Sequence, residues 1–131
     1  MRKLAAAVLS VACGFIAPSF ADDPNGTRDI YDAYVGAFTL QQHLESCERH
    51  APAALEQSQS TVAAFRATNE ASLRRLEAAA RKWRLPGDRS IEEVLRHIRD
   101  STDAYYADVP AGIAASRCQN LVANLAASSV G

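Results

Sequence analysis

The chain has little of what would name a chemistry. Its single methionine is Met1, which leaves no thioether further along to ligate haem iron or copper. There is no C-x-x-C-H haem-attachment run, no G-x-S-x-G nucleophile elbow, no P-loop and no H-E-x-x-H zinc motif. No segment keeps up the apolar–polar alternation of a strand, and no internal repeat is present. Charge of one sign is missing too: 14 Lys and Arg stand against 15 Asp and Glu. So balanced a chain has no general attraction for nucleic acid or anionic lipid. Cysteine occurs three times. The longest apolar run, Leu4 to Ile16, has 13 residues, short of the roughly 20 a membrane helix needs.

That run is nevertheless the clearest signal in the chain. Arg2 and Lys3 precede it, Ser19-Phe20-Ala21 follows with small residues at its first and third places, and Asp22-Asp23 comes next. This is the three-part layout of a secretory signal peptide. Cleavage after Ala21 is expected, leaving residues 22–131 as one domain in the periplasm or outside the cell. Ser10-Val11-Ala12-Cys13 faintly resembles a lipobox, but Ser10 stands where that pattern has Leu, so a lipid anchor on Cys13 is not the favoured reading. Losing the leader removes Arg2 and Lys3 and no acid, which leaves 12 basic and 15 acidic residues, a net of −3. Cys47 and Cys118 then remain. Two cysteines in an exported small domain imply a disulfide. Closing a loop of about 70 residues is worth roughly 4 kcal/mol in the chain-entropy account.

The rest reads as four helices. Asp22 to Thr27 is turn-forming, and Thr27 is positioned to cap a first helix whose stripe is Ile30, Tyr34, Ala37/Phe38, Gln41, Leu44 and Cys47. Asp29 and Asp32 are expected in its first turn, where the helix dipole favours negative charge. Residues 52–84 read as one long second helix opened by Pro52, with Leu55, Ser58, Val62, Phe65, Asn69, Leu73, Leu76, Ala80 and Trp83 on one face. Ser58-Gln59-Ser60-Thr61, all weak helix formers, mark a bend within it. Arg66–Glu70, Glu70–Arg74 and Glu77–Arg81 are possible pairs four residues apart. Leu85-Pro86-Gly87-Asp88 is a break, and Ser90-Ile91-Glu92-Glu93 is a capping box opening a third helix. Its stripe is Ile91, Val94, Leu95, Ile98, Thr102, Tyr105 and Val109. A fourth helix, 111–127, turns Ile113, Ala114, Cys118, Leu121, Val122 and Leu125 inward, and residues 128–131 are expected to fray. The fold class is all-α, an up-down arrangement of antiparallel helices with one staple.

Several side-chain groups are candidate sites. His43, Cys47 and His50 share a helical face and carry zinc or copper ligand types. Oxidation of Cys47 removes the thiolate, so no metal is the favoured reading. Asn69 interrupts an apolar stripe and needs hydrogen-bond partners. It either sets helix register or faces a ligand cavity. Tyr31, Tyr34, Tyr105 and Tyr106 form two pairs, and Tyr31 and Tyr106 are read as the outward members, suited to a protein contact. Arg74, Arg75, Arg81, Lys82, Arg84 and Arg89 make a basic stretch, either a solvated face or a receptor for an acidic partner.

From Tyr34 to Trp83 the chain resembles small, mostly uncharacterised exported helical proteins of Gram-negative bacteria. In these a first helix ends in a cysteine, here Cys47, and a long second helix carries an aromatic followed by asparagine, here Phe65 and Asn69. A second cysteine, Cys118, lies in the last helix. Phe65 stands where that pattern has Trp. The resemblance implies a disulfide-stapled bundle and a periplasmic address, and brings no activity or cofactor with it.

The combined expectation is a non-enzymatic exported protein working by contact with another exported or envelope protein, as an adaptor, inhibitor or immunity-type protein. The alternative is a small-ligand or metal carrier. Mass spectrometry of the exported product should read a chain beginning at Asp22, lighter by two hydrogens than its dithiol form; an uncut, reduced product overturns the export reading.

Overall fold

A computed structural model describes residues 24–130 apart from Arg84, Pro86 and Asp88. The leader, Cys13, Asp22 and Asp23 lie outside the described residues. Four α-helices and one 3₁₀ segment account for most of the rest, and no strand occurs among the described residues. Helix α1 is Pro24–His50, the 3₁₀ segment Pro52–Ser58, α2 Gln59–Ala80, α3 Ile91–Ala107 and α4 Ala111–Val130.

Boundaries depart from the sequence reading in three places. Helix α1 starts at Pro24 rather than after Thr27. Proline tolerates the first helical position because its missing N–H is unpaired there anyway. Asp29 and Asp32 consequently sit beyond the first turn, which holds no acid, and Asp32 instead meets Arg28 at 3.9 Å. The expected long second helix is divided. Pro52–Ser58 winds as 3₁₀, and Ser58 leaves helical geometry at φ −125°, ψ 27° before α2 begins. The break thus falls where four poor helix formers cluster. Helix α4 continues through Ser128 and Ser129 to Val130.

Caps explain the other ends. The Ser90 hydroxyl accepts from the Glu93 N–H at 3.3 Å, and Glu92 and Glu93 occupy the first turn of α3, where the N-terminal dipole stabilises acids. Helix α2 closes through tightened bonds from the N–H groups of Lys82 and Trp83 to Ala79 and Ala80. Gly87 then takes φ 76°, a left-handed conformation that glycine adopts without steric cost. The Pro110 carbonyl accepts from Ile113 and Ala114 to start α4.

Helix α1 is the spine and packs on α2, α3 and α4, with α2 and α3 flanking it. Every residue of the second-helix stripe, from Leu55 to Trp83, is at least partly buried. Two apolar clusters result. Near the C-terminal end of α1, Leu44, Cys47, Leu55, Val62, Tyr106, Cys118 and Val122 pack together. Near its N-terminal half, Tyr31, Tyr34, Ala80, Leu85, Ile91 and Leu95 do so. This pairing of ends sets α2 and α4 antiparallel to α1 and α3. A polar layer separates the clusters: the Asn69 Nδ2 donates to the Ala37 carbonyl at 2.9 Å and to Gln41 Oε1 at 3.2 Å, and Gln41 Nε2 donates to Glu45 at 3.2 Å. Asn69 and Gln41 are both buried. A paired amide in an apolar stripe disfavours sliding of one helix on another, because any shift orphans it.

The Cys47–Cys118 disulfide lies inside the first cluster, with both residues wholly inaccessible and Cα atoms 5.7 Å apart. Of the expected helix-surface ion pairs, Glu77–Arg81 forms at 3.0 Å. Arg66 crosses instead to Glu48 of α1. These pairs are exposed and contribute little.

Replacing Cys118 by Ser should lower the melting temperature by on the order of 10 °C or more, since the closed loop is worth about 4 kcal/mol. A thiol reductant should leave the native bond intact and cleave it only in denaturant. Ready reduction of the folded protein would contradict the burial described here.

Candidate functional site

Two residues expected inside face out, and they identify the surface of interest. Steps of four from Thr102 land on Tyr106, so Tyr106 is buried at 3% exposure while Tyr105 is 46% exposed. Ile113 is likewise 46% exposed. Cys118 sits opposite Cys47, and five residues earlier along α4 the level matches Pro52, where α1 has ended and the chain has turned into the 3₁₀ segment. Nothing of α1 is left there to cover Ile113. With Leu40 of α1, 39% exposed, these are the three large apolar side chains that stand out into solvent among the described residues.

Leu40 and Tyr105 line one depression of about 230 Å³ between α1, the end of α3, and α4. His43 and Tyr106 form part of its wall, and Arg117, Asn120, Leu121 and Asn124 of α4 supply the rest. The three rings pack edge to face: His43–Tyr105 at 5.9 Å, His43–Tyr106 at 5.5 Å and Tyr105–Tyr106 at 5.0 Å between centroids, the orientation that ring quadrupoles favour. The Tyr106 hydroxyl lies 2.6 Å from His43 Nδ1. Burial pushes the Tyr106 phenol up to about 12, with neighbouring Tyr105 adding and Arg117 opposing. Burial pushes His43 below its ordinary 6.5. At neutral pH both groups are therefore uncharged.

Arg117 is the charged member. Its guanidinium stacks on Tyr105, 3.8 Å from the ring centroid, and donates to the Tyr105 carbonyl. Stacking of this kind fixes the guanidinium plane while leaving N–H groups at the edge. Leu40 also borders a second, apolar groove of about 430 Å³ with Thr61, Ala64, Phe65, Thr68, Leu125 and Ser128. Depression and groove thus meet at Leu40.

The other candidates are placed as follows. Tyr31, read as outward, is buried at 8% against Trp83, ring centroids 6.5 Å apart, because the connection after α2 folds over it. Tyr34 is buried as well. Tyr106 is corrected for the reason of helical phase given above. His43, Cys47 and His50 do not converge as ligands: Cys47 is bonded to Cys118, His43 faces Tyr106, and His50 Nε2 lies 2.8 Å from Asp103. No metal-binding group of three acids, histidines or cysteines occurs among the described residues. Asp103 Oδ1 also accepts from Arg49 at 2.7 Å and from the buried Ser46 hydroxyl at 3.5 Å. Arg49 first, then His50, hold the Asp103 carboxyl below its usual range, and the cluster ties α3 to the end of α1. Asn69 is bonded within the core. Of the basic stretch, Arg81 pairs with Glu77 and Glu92, Arg74, Arg75, Lys82 and Arg89 are exposed, and Arg84 lies outside the described residues.

Leu40, Tyr105, Ile113, Arg117, Asn120 and Asn124 were not singled out by sequence as surface groups. One signal was available: Arg117 is the only charged residue between Ala111 and Val130. Comparison with family models, curated proteins and solved structures finds no match, so the site rests on its own chemistry.

His43 gives a pH signature. Its folded pKa lies below the unfolded value of 6.5, so the unfolded chain binds the proton more readily and stability is lost as pH falls below about 6.5. Between pH 7 and pH 5 the wild type should lose more thermal stability than His43→Gln. Equal losses would show that His43 is not desolvated by burial in the fold.

Proposed function

We propose that this is an exported helical protein, periplasmic or secreted, that acts by contact with another exported or envelope protein rather than by catalysis. The observation that supports it is the meeting of exposed Leu40 of α1 and Tyr105 of α3 beside a stacked Arg117 of α4, with Ile113 of α4 exposed as well. Among the other described residues the large apolar side chains are at least partly buried. Aromatic and arginine side chains anchored on a rigid scaffold are the composition of protein-binding hot spots. They also carry little ordering cost when their geometry is already set, as stacking and edge-to-face packing set it here. The disulfide, closed and wholly buried, agrees with folding in an oxidising compartment. The signal-like leader and the resemblance to exported helical proteins point the same way. Tyr31 and Tyr106 are buried and leave the contact face, which this reading places on α1, α3 and α4 around Leu40, Tyr105 and Arg117.

The carrier alternative loses its supports, because the Asn69 amide is bonded in the core and His43 and His50 serve separate partners.

A photo-crosslinking amino acid at position 105 or 113, expressed in the native cell, should give one discrete adduct with an exported or envelope protein. The same group at position 96 is nine residues back, half a turn away around α3, and should give none. Silence at 105 and 113, or the same adducts from all three positions, would overturn the proposal.

A further inference from the structure

Among the described arginines without a carboxylate partner, Arg117 is the one that is half-buried, the others being exposed. Arg28, Arg49, Arg66 and Arg81 each meet a carboxylate. Arg117 is half-buried on the Tyr105 ring and meets none among the described residues. No Asp or Glu lines either the depression or the adjoining groove. Helix α4 carries no acid at all, although acids outnumber bases in the chain as a whole. A partly desolvated guanidinium in an acid-free hollow has lost hydration without gaining a counter-charge, and a carboxylate supplies both charge and two acceptor oxygens to its planar fork. The neighbouring Asn120 and Asn124 add amide donors at the rim.

The groove beyond Leu40 is of opposite character, walled by Leu40, Ala64, Phe65 and Leu125. Along α4 the eight steps from Arg117 to Leu125 span about 12 Å. An extended peptide covers that distance with about four residues.

We infer that the occupant of this face is an acidic–aliphatic peptide segment of the partner protein, its carboxylate received by Arg117 and an aliphatic side chain three or four residues away seated in the Leu40–Phe65–Leu125 groove. The inference rests on the contact reading above and adds the chemistry of what is contacted. Charge complementarity selects the acid, and the apolar groove selects the aliphatic side chain. The spacing between the two is set by the rise of α4.

A random peptide library displayed on phage, panned against the purified disulfide-bonded protein, tests this directly. The enriched peptides should carry Asp or Glu three or four positions from Leu, Ile or Val. Arg117→Gln should weaken binding of such a peptide about tenfold or more, the size of one charge-assisted hydrogen bond, and panning on it should lose the acidic preference while keeping the aliphatic one. Arg117→Lys should retain the acidic preference. Leu40→Ser should lose the aliphatic preference and keep the acidic one. Melting temperatures close to wild type show that the variants are folded. Enrichment of apolar peptides without an acid, or an acidic preference unchanged in Arg117→Gln, overturns this inference and leaves the contact reading standing. No enrichment overturns it as well, and with silent crosslinking at 105 and 113 the contact reading falls too.

Discussion

The fold is organised around the bond between Cys47 and Cys118. It joins the end of the first helix to the middle of the last, at a level where α1, α4, Tyr106 and the 3₁₀ segment all converge. A domain of this size has a modest apolar core, and much of the apolar contact near the bond comes from small or aliphatic side chains such as Leu44, Leu55 and Val122. Fixing two helices at that point by covalent attachment lessens the conformational freedom that these contacts must offset. The same bond decides which chemistry is open to His43 and His50. With its sulfur taken, Cys47 cannot draw them into a common ligand set, and each imidazole turns to a neighbour on α3 instead.

Much of the architecture was legible because helical periodicity reports burial directly. The stripe from Leu55 to Trp83 is covered throughout, and Ser90 caps α3 as its spacing with Glu93 implied. What the sequence could not show is how far a neighbouring element extends. Ile113 belongs to an apolar stripe but lies past the end of α1, so it faces water. Tyr31 lies off the stripe but is roofed by the connection around Trp83 and Leu85. Tyr105 and Tyr106 differ by one helical step, and the phase shared with Thr102 puts Tyr106 inside, where its hydroxyl reaches His43. The division at Ser58 was foreshadowed by composition; the 3₁₀ winding that precedes it was not.

The face around Leu40, Tyr105 and Arg117 was illegible for the same reason. Its members come from three helices and acquire meaning only when brought together. On α4, Arg117 reads as an ordinary solubilising charge. Stacked on Tyr105 beside a neutral His43–Tyr106 pair, it becomes the single charge of an otherwise apolar and amide-lined surface. The polar layer at Asn69, Gln41 and Glu45 keeps α1 and α2 in one register, and that register sets Leu40 against Phe65 in the apolar groove.

The covalent ring closed by the two sulfurs spans the whole of α2 and α3, together with the connection from Arg81 to Ser90 that joins them. A protease that severs the backbone within this connection therefore liberates nothing. The two pieces stay tied through the sulfur bridge, and the tie sits in the core rather than at the rim, where an attacking thiol would find it. A wound there changes the chain count on a reducing gel and leaves the molecule in one piece.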